Sequence, residues 1–170
     1  MKLSISNFSP ENYLNMDFDS FIVGPSNKNA HQKVLAIANG ASFESPLIIT
    51  SDTGNGKTHL LASLGKYLQK RLKTVVMLSV ETMLTVSHPE RLFVEADAVL
   101  LDSVEILACD CSGAGKTKFQ RKTLDLLRAM LVEQKFVAMS CDPQFLDKPL
   151  IGELKDLLMR GTIARIENWN

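Results

Sequence analysis

The chain alternates between short apolar runs and longer segments whose apolar residues recur three or four positions apart. An apolar run of about four to eight residues is typical of a strand buried on both faces, whereas the wider spacing is typical of an amphipathic helix. The runs predict five strands, at 46–50, 74–79, 98–102, 136–140 and 162–166. The wider spacing predicts helices at about 26–39, 59–72, 119–134 and 150–159, and a helix-like piece at 81–93 interrupted at Pro89. This alternation predicts an α/β fold, a three-layer αβα sandwich around a five-stranded parallel sheet.

The first predicted helix carries signals at both ends. Ser26 follows a Gly-Pro turn and is predicted to cap its start, and Gly40 is predicted to end it. Residues 1–16 are polar and irregular and predict an N-terminal arm. Residues 17–170 are expected to form one core domain, because the sequence contains no low-complexity linker and its length suits a single domain.

The most informative loop follows the first predicted strand. Residues 51–58 read SDTGNGKT, close to the pattern GxxxxGK[ST], in which backbone N–H groups surround phosphate oxygens, Lys reaches the phosphates and the hydroxyl ligates Mg²⁺. Gly56, Lys57 and Thr58 fit this pattern and open a helix, whose N-terminus favours an anion. Ser51 replaces the first glycine, and Asp52 should repel phosphate unless it points outward or pairs with a cation. The alternative is an ordinary turn, which the flanking strand and helix disfavour.

A second loop, at 110–117, also ends in Gly-Lys-Thr and also lacks the first glycine. To bind phosphate it would need a strand at 104–109, and too few strand-helix units would follow it. We therefore predict the phosphate site at the first loop. The most basic patch of the chain includes the second loop, at Lys116, Lys118, Arg121 and Lys122. This patch is either a contact for DNA or a partner, or an ordinary solvated face.

Composition narrows the function classes. Nineteen basic and nineteen acidic residues cancel, so no overall field draws the chain to nucleic acid or to a membrane. No apolar run approaches the roughly 20 residues of a membrane span, and the N-terminus lacks a secretory layout, so we expect a cytoplasmic protein. Cys109, Cys111 and Cys141 are then expected to be reduced thiols and not zinc ligands, because Cys-x-Cys is not the common zinc spacing.

Three carboxylates that follow predicted strands are candidates for catalysis. Asp102 ends the third strand, where a P-loop protein places its Mg²⁺-binding carboxylate. The next residue, Ser103, cannot act as a base at neutral pH, so Glu105 is the fallback for activating water. Because glutamate is usually exposed, the favoured interpretation of Glu105 is nevertheless a surface carboxylate. At the end of the fourth strand, the stretch Ser140-Cys141-Asp142, with Asp142 as the catalytic candidate, places a polar side chain where it could hydrogen-bond the γ-phosphate region or the attacking water.

These motifs resemble a known family. The stretches FIVGPSN at 21–27, GNGKTHLL at 54–61 and DSVEILA at 102–108 resemble the AAA+ core of the bacterial replication initiator DnaA and its regulatory paralogue Hda. The resemblance spans about 17–166 and implies a P-loop core that binds ATP or ADP with Mg²⁺ and acts in the control of replication initiation. It also implies site residues: Val23 against the adenine, Gly54, Asn55, Gly56, Lys57, Thr58 and His59 around the nucleotide, and Thr58 and Asp102 at Mg²⁺.

Departures from the family pattern bear on activity. Leu157 stands where the family has an arginine finger, and Arg160 is three residues away. Together with Ser103, this predicts that hydrolysis is very slow or absent. The sequence ends shortly after the fifth strand, without the family's helical lid or helix-turn-helix domain, and this disfavours direct DNA binding.

Three functions stay open from the sequence. The preferred one is a nucleotide-binding regulator that contacts a DnaA-type initiator, another replication protein or a second copy of itself. The second is an active AAA+ ATPase with relocated catalytic groups, and the third is a degenerate interaction module that no longer binds nucleotide. The residues at positions 103 and 157 argue against the second, whereas Lys57, Thr58 and Asp102 argue against the third.

Overall fold

The structure, a computed structural model, describes residues 9–72, 74–108 and 114–168. Residues 1–8 of the predicted arm, Cys109, Cys111 and residues 110–113 of the second loop lie outside the described part. In the remainder of the predicted arm, a 3₁₀ turn at Pro10–Asn12 packs against the helix that follows the first strand, where the Gln69 Nε2 donates to the Ser9 Oγ at 3.0 Å.

The five strands form one parallel sheet, as predicted. They are β1 Leu47–Thr50, β2 Val75–Ser79, β3 Ala98–Asp102, β4 Phe136–Cys141 and β5 Thr162–Arg165. Their order across the sheet is β2-β3-β4-β1-β5, and every pair of neighbours runs parallel. The predicted αβα class is confirmed, because β1 to β4 are apolar runs buried on both faces, whereas the edge strand β5 is partly exposed.

Six helices connect and cover the strands in the described part of the chain. They are α1 Lys28–Ala38, α2 Lys57–Gln69, α3 Val80–Thr85, α4 Pro89–Glu95, α5 Ala114–Val132 and α6 Gly152–Met159. The helix-like piece at 81–93 is two helices, and Pro89 starts the second because a first-turn position needs no N–H donor.

The predicted cap of α1 is wrong by one residue. Asn27, not Ser26, is the N-cap of this helix, and its side chain makes no capping bond to the helix. Instead the Asn27 Oδ1 accepts the Gly24 N–H at 2.8 Å, and its Nδ2 donates to the Ile22 carbonyl at 2.9 Å. The side chain therefore fixes the loop before the helix. Gly40 ends the helix as predicted, with a left-handed φ of 101°.

Alternate residues of β1 to β4 enter two separate apolar cores, one on each face of the sheet. In β3, Val99 and Leu101 face the core under α3 to α6, whereas Ala98 and Leu100 face the core under α1 and α2. The sheet is thus covered on both faces, so functional groups have to lie at the ends of its strands.

The second loop lacks the strand that a phosphate site would need. Residues Val104–Ala108 form a 3₁₀ turn and not a strand, and α5 begins at Ala114, earlier than predicted. The structure therefore supports the first loop as the phosphate site.

Among the described helices, none has both the length and the hydropathy of a membrane span.

Gly161 lies in the turn between α6 and β5, where an added Cβ would overlap the backbone carbonyl oxygen of Pro46. Because backbone yields less readily than a side chain, we expect Gly161→Ala to lower the free energy of unfolding by roughly 1 to 3 kcal/mol. Denaturant unfolding measures this loss. The matched control is Gly152→Ala at the start of α6, where a Cβ meets nothing within 4 Å, and we expect it to be neutral or slightly stabilising. Equal losses in both variants would contradict the steric explanation.

Candidate functional site

The site forms at the carboxyl edge of the sheet, where β3, β4 and β1 lie side by side. The loop at 51–56 follows β1, Asp102 ends β3 and Asp142 follows β4. Because parallel strands bring their carboxyl ends to one edge, the three candidate segments converge there.

The loop at 51–56 needs glycine at two positions. Gly54 and Gly56 have left-handed φ values of 88° and 91°, which residues with a Cβ rarely adopt. Gly56 is also the N-cap of α2, and a Cβ there would lie 3.3 Å from the Phe21 ring. The two φ values and the nearby Phe21 ring explain why both glycines of this half of the phosphate-loop pattern are present.

The missing first glycine has a structural explanation. Ser51 is fully buried, its Oγ donates to the Asp52 carbonyl at 2.9 Å, and its N–H donates to the Cys141 carbonyl at 3.4 Å. Its φ is not left-handed, so a serine is accommodated at this position without backbone strain. Asp52 is exposed to solvent, which meets the condition set for a carboxylate in this loop.

Lys57, the first residue of α2, forms an ion pair with Asp142. The Lys57 Nζ lies 3.0 Å from the Asp142 Oδ1, and the lysine side chain is 10% exposed whereas the aspartate side chain is 38% exposed. The lysine is thus held at the mouth of the phosphate loop by a carboxylate that stays in contact with water.

Thr58 and Asp102 are joined directly. The Thr58 Oγ1 is 3.1 Å from both Oδ1 and Oδ2 of Asp102, which is buried. The Ser140 hydroxyl, on β4, also donates to the Asp102 Oδ1. A hydroxyl beside a carboxylate is a pair of hard oxygen ligands that fits Mg²⁺, which usually takes one or two protein groups together with phosphate oxygens and water. The described residues hold no cluster of three or more acidic, His or Cys side chains that would form a metal site without phosphate.

Glu105 belongs to this site and is not an open surface carboxylate. It lies in the 3₁₀ turn Val104–Ala108 and is half-buried. Burial raises the pKa of the Glu105 carboxyl and the charge of Asp142 adds to the rise, while hydrogen bonding to backbone N–H groups and the charge of Lys57 oppose it. Its surroundings are therefore those of the phosphate loop.

The residue before this turn has an unusual backbone. Ser103 has a left-handed φ of 59°, and its N–H donates to the Ser140 Oγ at 3.0 Å. Serine rarely adopts a left-handed φ, so no feature of the sequence indicated this conformation.

The side chain of His59 packs on the segment at 17–21. Its Nε2 lies 3.1 Å from the Asp17 carbonyl oxygen and 3.2 Å from the Ser20 Oγ, and its ring meets the Phe21 ring edge-on at 5.1 Å. The ring therefore connects the segment at 17–21 to the start of α2, and any contact of His59 with a nucleotide stays a prediction.

Val23 and Asn55 lie on two loops beside α2. Val23 is 46% exposed, in the loop that Asn27 fixes. The Asn55 Nδ2 donates to the Asn168 Oδ1 at 2.9 Å, a contact with the segment after β5 that the sequence did not indicate. Both residues are accessible for the roles that the sequence predicted, and those roles stay predictions.

The remaining candidate residues lie away from this edge. Leu157 packs against the apolar core and Arg160 is exposed at the end of α6. In the basic patch, Arg121 lies 4.0 Å from Glu153 and Lys122 lies 3.8 Å from Glu90, so two of its charges face acidic partners. That arrangement is typical of a solvated face.

Cys141 is a free, buried thiol in the described structure. Burial is the main cause that raises its pKa to about 12, so it stays protonated at neutral pH.

The sequence matches the family model of the bacterial DnaA ATPase domain over residues 13–161. It is similar to the chromosomal replication initiator protein DnaA of Deinococcus radiodurans, with 30% identity over 167 residues that cover 89% of this chain and 34% of that protein. The DnaA of Aliarcobacter butzleri is 29% identical over 136 residues, which cover 74% of this chain and 30% of that protein. The chain thus spans about a third of the length of these relatives.

Solved structures share the fold. AMPPCP-bound DnaA from Aquifex aeolicus has a TM-score of 0.74 and 25% identity, and the match covers 92% of this chain and 51% of the Aquifex chain. Domain III of the Thermotoga maritima replication initiation protein DnaA has a TM-score of 0.77 and 24% identity, and the match covers 92% of this chain and 69% of the Thermotoga chain. A replication initiator DnaA bound to AMPPCP and single-stranded DNA has a TM-score of 0.76 and 25% identity, and the match covers 92% of this chain and 51% of that DnaA chain.

Proposed function

Because the chain belongs to the family of the bacterial DnaA ATPase domain, we propose that it binds ATP or ADP with Mg²⁺ and regulates replication initiation through protein contacts. The observation that carries the proposal is the convergence of two contacts at the N-terminus of α2. These are the Lys57–Asp142 ion pair and the Thr58–Asp102 hydrogen bond. A cytoplasmic location is part of the proposal, because an initiator acts at the chromosome.

Each part of this edge has a role in holding a nucleotide. The N–H groups at the start of α2 face the phosphates, and Lys57 exchanges Asp142 for a phosphate oxygen. Thr58 and Asp102 hold Mg²⁺, which offsets phosphate charge when bound. The exposed apolar side chain of Val23 packs on the adenine.

Protein contacts account best for the regulatory role. Leu157 is partly buried against the core and provides no cationic finger. Arg121 and Lys122 face acidic neighbours and do not form an uncompensated basic surface. The partners that we propose are a DnaA-type initiator or another replication protein, with self-association as the alternative. Since a relative is bound to single-stranded DNA, that ligand belongs in the same test.

An active ATPase is the second candidate function, and one observation favours it. Glu105 is half-buried close to Lys57 and Asp142, and a carboxyl with a raised pKa is a better base at neutral pH than an ordinary one. We nevertheless propose very slow or absent hydrolysis, because Ser103 and Leu157 replace the usual base and finger.

The first prediction from the proposed function concerns Lys57. Lys57→Ala should weaken the affinity for a fluorescent ATP analogue by roughly 2 to 3 kcal/mol, the scale of a lost charge-assisted bond to phosphate. Equilibrium titration measures it. The matched control is Lys116→Ala, the equivalent lysine of the second loop, which should leave affinity unchanged. If Lys116→Ala abolished binding and Lys57→Ala did not, the phosphate site would lie at the second loop.

The second prediction concerns partners. The protein should associate with a DnaA-type initiator, or with itself, more strongly when ATP and Mg²⁺ are present, because AAA+ cores place nucleotide at a subunit boundary. Sedimentation and co-purification with and without nucleotide measure this, with Lys57→Ala as the variant that should lose the nucleotide-dependent part. A monomer that ignores the initiator in both conditions would refute the regulatory role, and binding to single-stranded DNA alone would favour a direct DNA function.

The third prediction concerns hydrolysis. Wild-type turnover should equal the blank rate, because a missing arginine finger alone costs about 10³ to 10⁵ in rate in related phosphoryl transfers. Steady-state phosphate release measures it. Two results together would contradict this prediction. Wild type would turn over ATP steadily, and the double variant Glu105→Ala with Arg160→Ala would eliminate that turnover while the control pair Glu153→Ala with Arg121→Ala would not. That result would establish the active ATPase.

A further inference from the structure

Ser140 is a buried hydroxyl with two partners at the site. It lies in β4 with no exposed surface, and its Oγ accepts the Ser103 N–H at 3.0 Å. The same hydroxyl donates its proton to the Asp102 Oδ1. Because the backbone N–H occupies an acceptor position of the oxygen, the single hydroxyl proton is directed at the carboxylate.

The bond from Ser103 stabilises an unfavourable backbone conformation. The left-handed φ of 59° at Ser103 is uncommon for a residue with a Cβ, and such conformations persist when surrounding contacts hold them. The Ser140 hydroxyl supplies such a contact, at the junction between β3 and the turn that carries Glu105. One side chain therefore fixes both the carboxylate and the backbone that follows it.

Ser140 differs from the other donor to Asp102. The Thr58 hydroxyl shares its single proton between the two oxygens of that carboxylate, and it is itself the proposed ligand of Mg²⁺. The Ser140 hydroxyl can keep Oδ1 in place while Oδ2, which among the described contacts meets only Thr58, is left for a cation. Partners behind metal-binding carboxylates commonly orient them in this way.

We propose that Ser140 is a positioning residue, whose hydroxyl orients Asp102 for the Mg²⁺ that accompanies a bound nucleotide. This inference rests on the proposed nucleotide-binding function. It assigns part of the Mg²⁺ dependence of affinity to a residue that acts through Asp102.

The test compares wild type and Ser140→Ala by titration with a fluorescent ATP analogue in Mg²⁺ and in EDTA. Wild type should bind more tightly with Mg²⁺. In Ser140→Ala the ratio of the two affinities should fall about 10-fold, the low end of the effect of removing a partner from a metal ligand. The affinity in EDTA should stay the same, a result that a general loss of structure would not produce. An unchanged ratio overturns the proposal.

Two further variants separate the role of this hydroxyl from buried hydroxyls in general. Ser140→Thr keeps the donor and should restore the ratio. Thr123→Ala removes an equally buried hydroxyl on α5, which donates to the Phe119 carbonyl at 2.9 Å, and should leave the ratio as in wild type. A fall of equal size in Thr123→Ala, or a fall in Ser140→Thr as large as in Ser140→Ala, overturns the proposal.

Failure of this inference and failure of the proposed function look different. A wild type that binds no nucleotide in either condition rejects the proposed function, whereas a Mg²⁺ dependence that survives Ser140→Ala rejects only the role of Ser140. If Ser140→Ala does not fold, the wild-type complex decides by NMR. The Ser103 amide proton, which donates to Ser140, should then exchange slowly with solvent and shift when Mg²⁺ is added. Fast exchange or an unshifted resonance overturns the proposal.

Discussion

The buried carboxylate of Asp102 is the constraint on which the candidate site depends. It is 7% exposed, and an unsupported charge at such a place costs several kcal/mol. The support comes from two hydroxyls on different elements, Thr58 on α2 and Ser140 on β4. The carboxylate is satisfied only when the strand order places β3 next to β4, with α2 packed above the sheet. The fold and the site are therefore specified by the same contacts.

Elements whose signals are local could be predicted from the sequence. A strand in a parallel sheet is buried on both faces, so β3 reads as an apolar run whose predicted and observed ends agree. The loop before α2 was also predictable, because Gly56 and Lys57 stand between such a run and a helical pattern. The missing glycine at Ser51 looked like a defect, but the backbone there does not need a left-handed φ. The phosphate-loop pattern therefore specifies a glycine at a position where this loop does not need one.

Features that depend on distant residues could not be predicted. Lys57 and Asp142 are 85 positions apart, and only the assembled sheet shows that they form an ion pair. The sequence placed Ser140 at the end of a strand near the nucleotide, but it did not indicate that the Ser140 hydroxyl reaches Asp102 on the next strand. Asn27 illustrates the reverse error, because capping preferences favour Ser26 and Asn27 almost equally, and the loop contacts of the amide decide between them.

Electrostatics limits what can occupy this site. The described part of the site contains one lysine, Lys57, and three carboxylates, those of Asp102, Glu105 and Asp142. A nucleotide adds several negative charges, and two like charges about 4 Å apart repel by about 4 kcal/mol at an effective dielectric constant of 20. One lysine cannot offset that sum, so the N–H groups at the start of α2 and a divalent cation have to contribute.

The nature of the groups that support Asp102 then becomes significant. An arginine or lysine would hold the carboxylate more firmly, but its charge would repel a divalent cation a few ångströms away. Hydroxyls from Thr58 and Ser140 orient the same carboxylate without cancelling its charge. A neutral donor behind Asp102 is therefore the arrangement that keeps the carboxylate buried, fixed in place and still attractive to Mg²⁺.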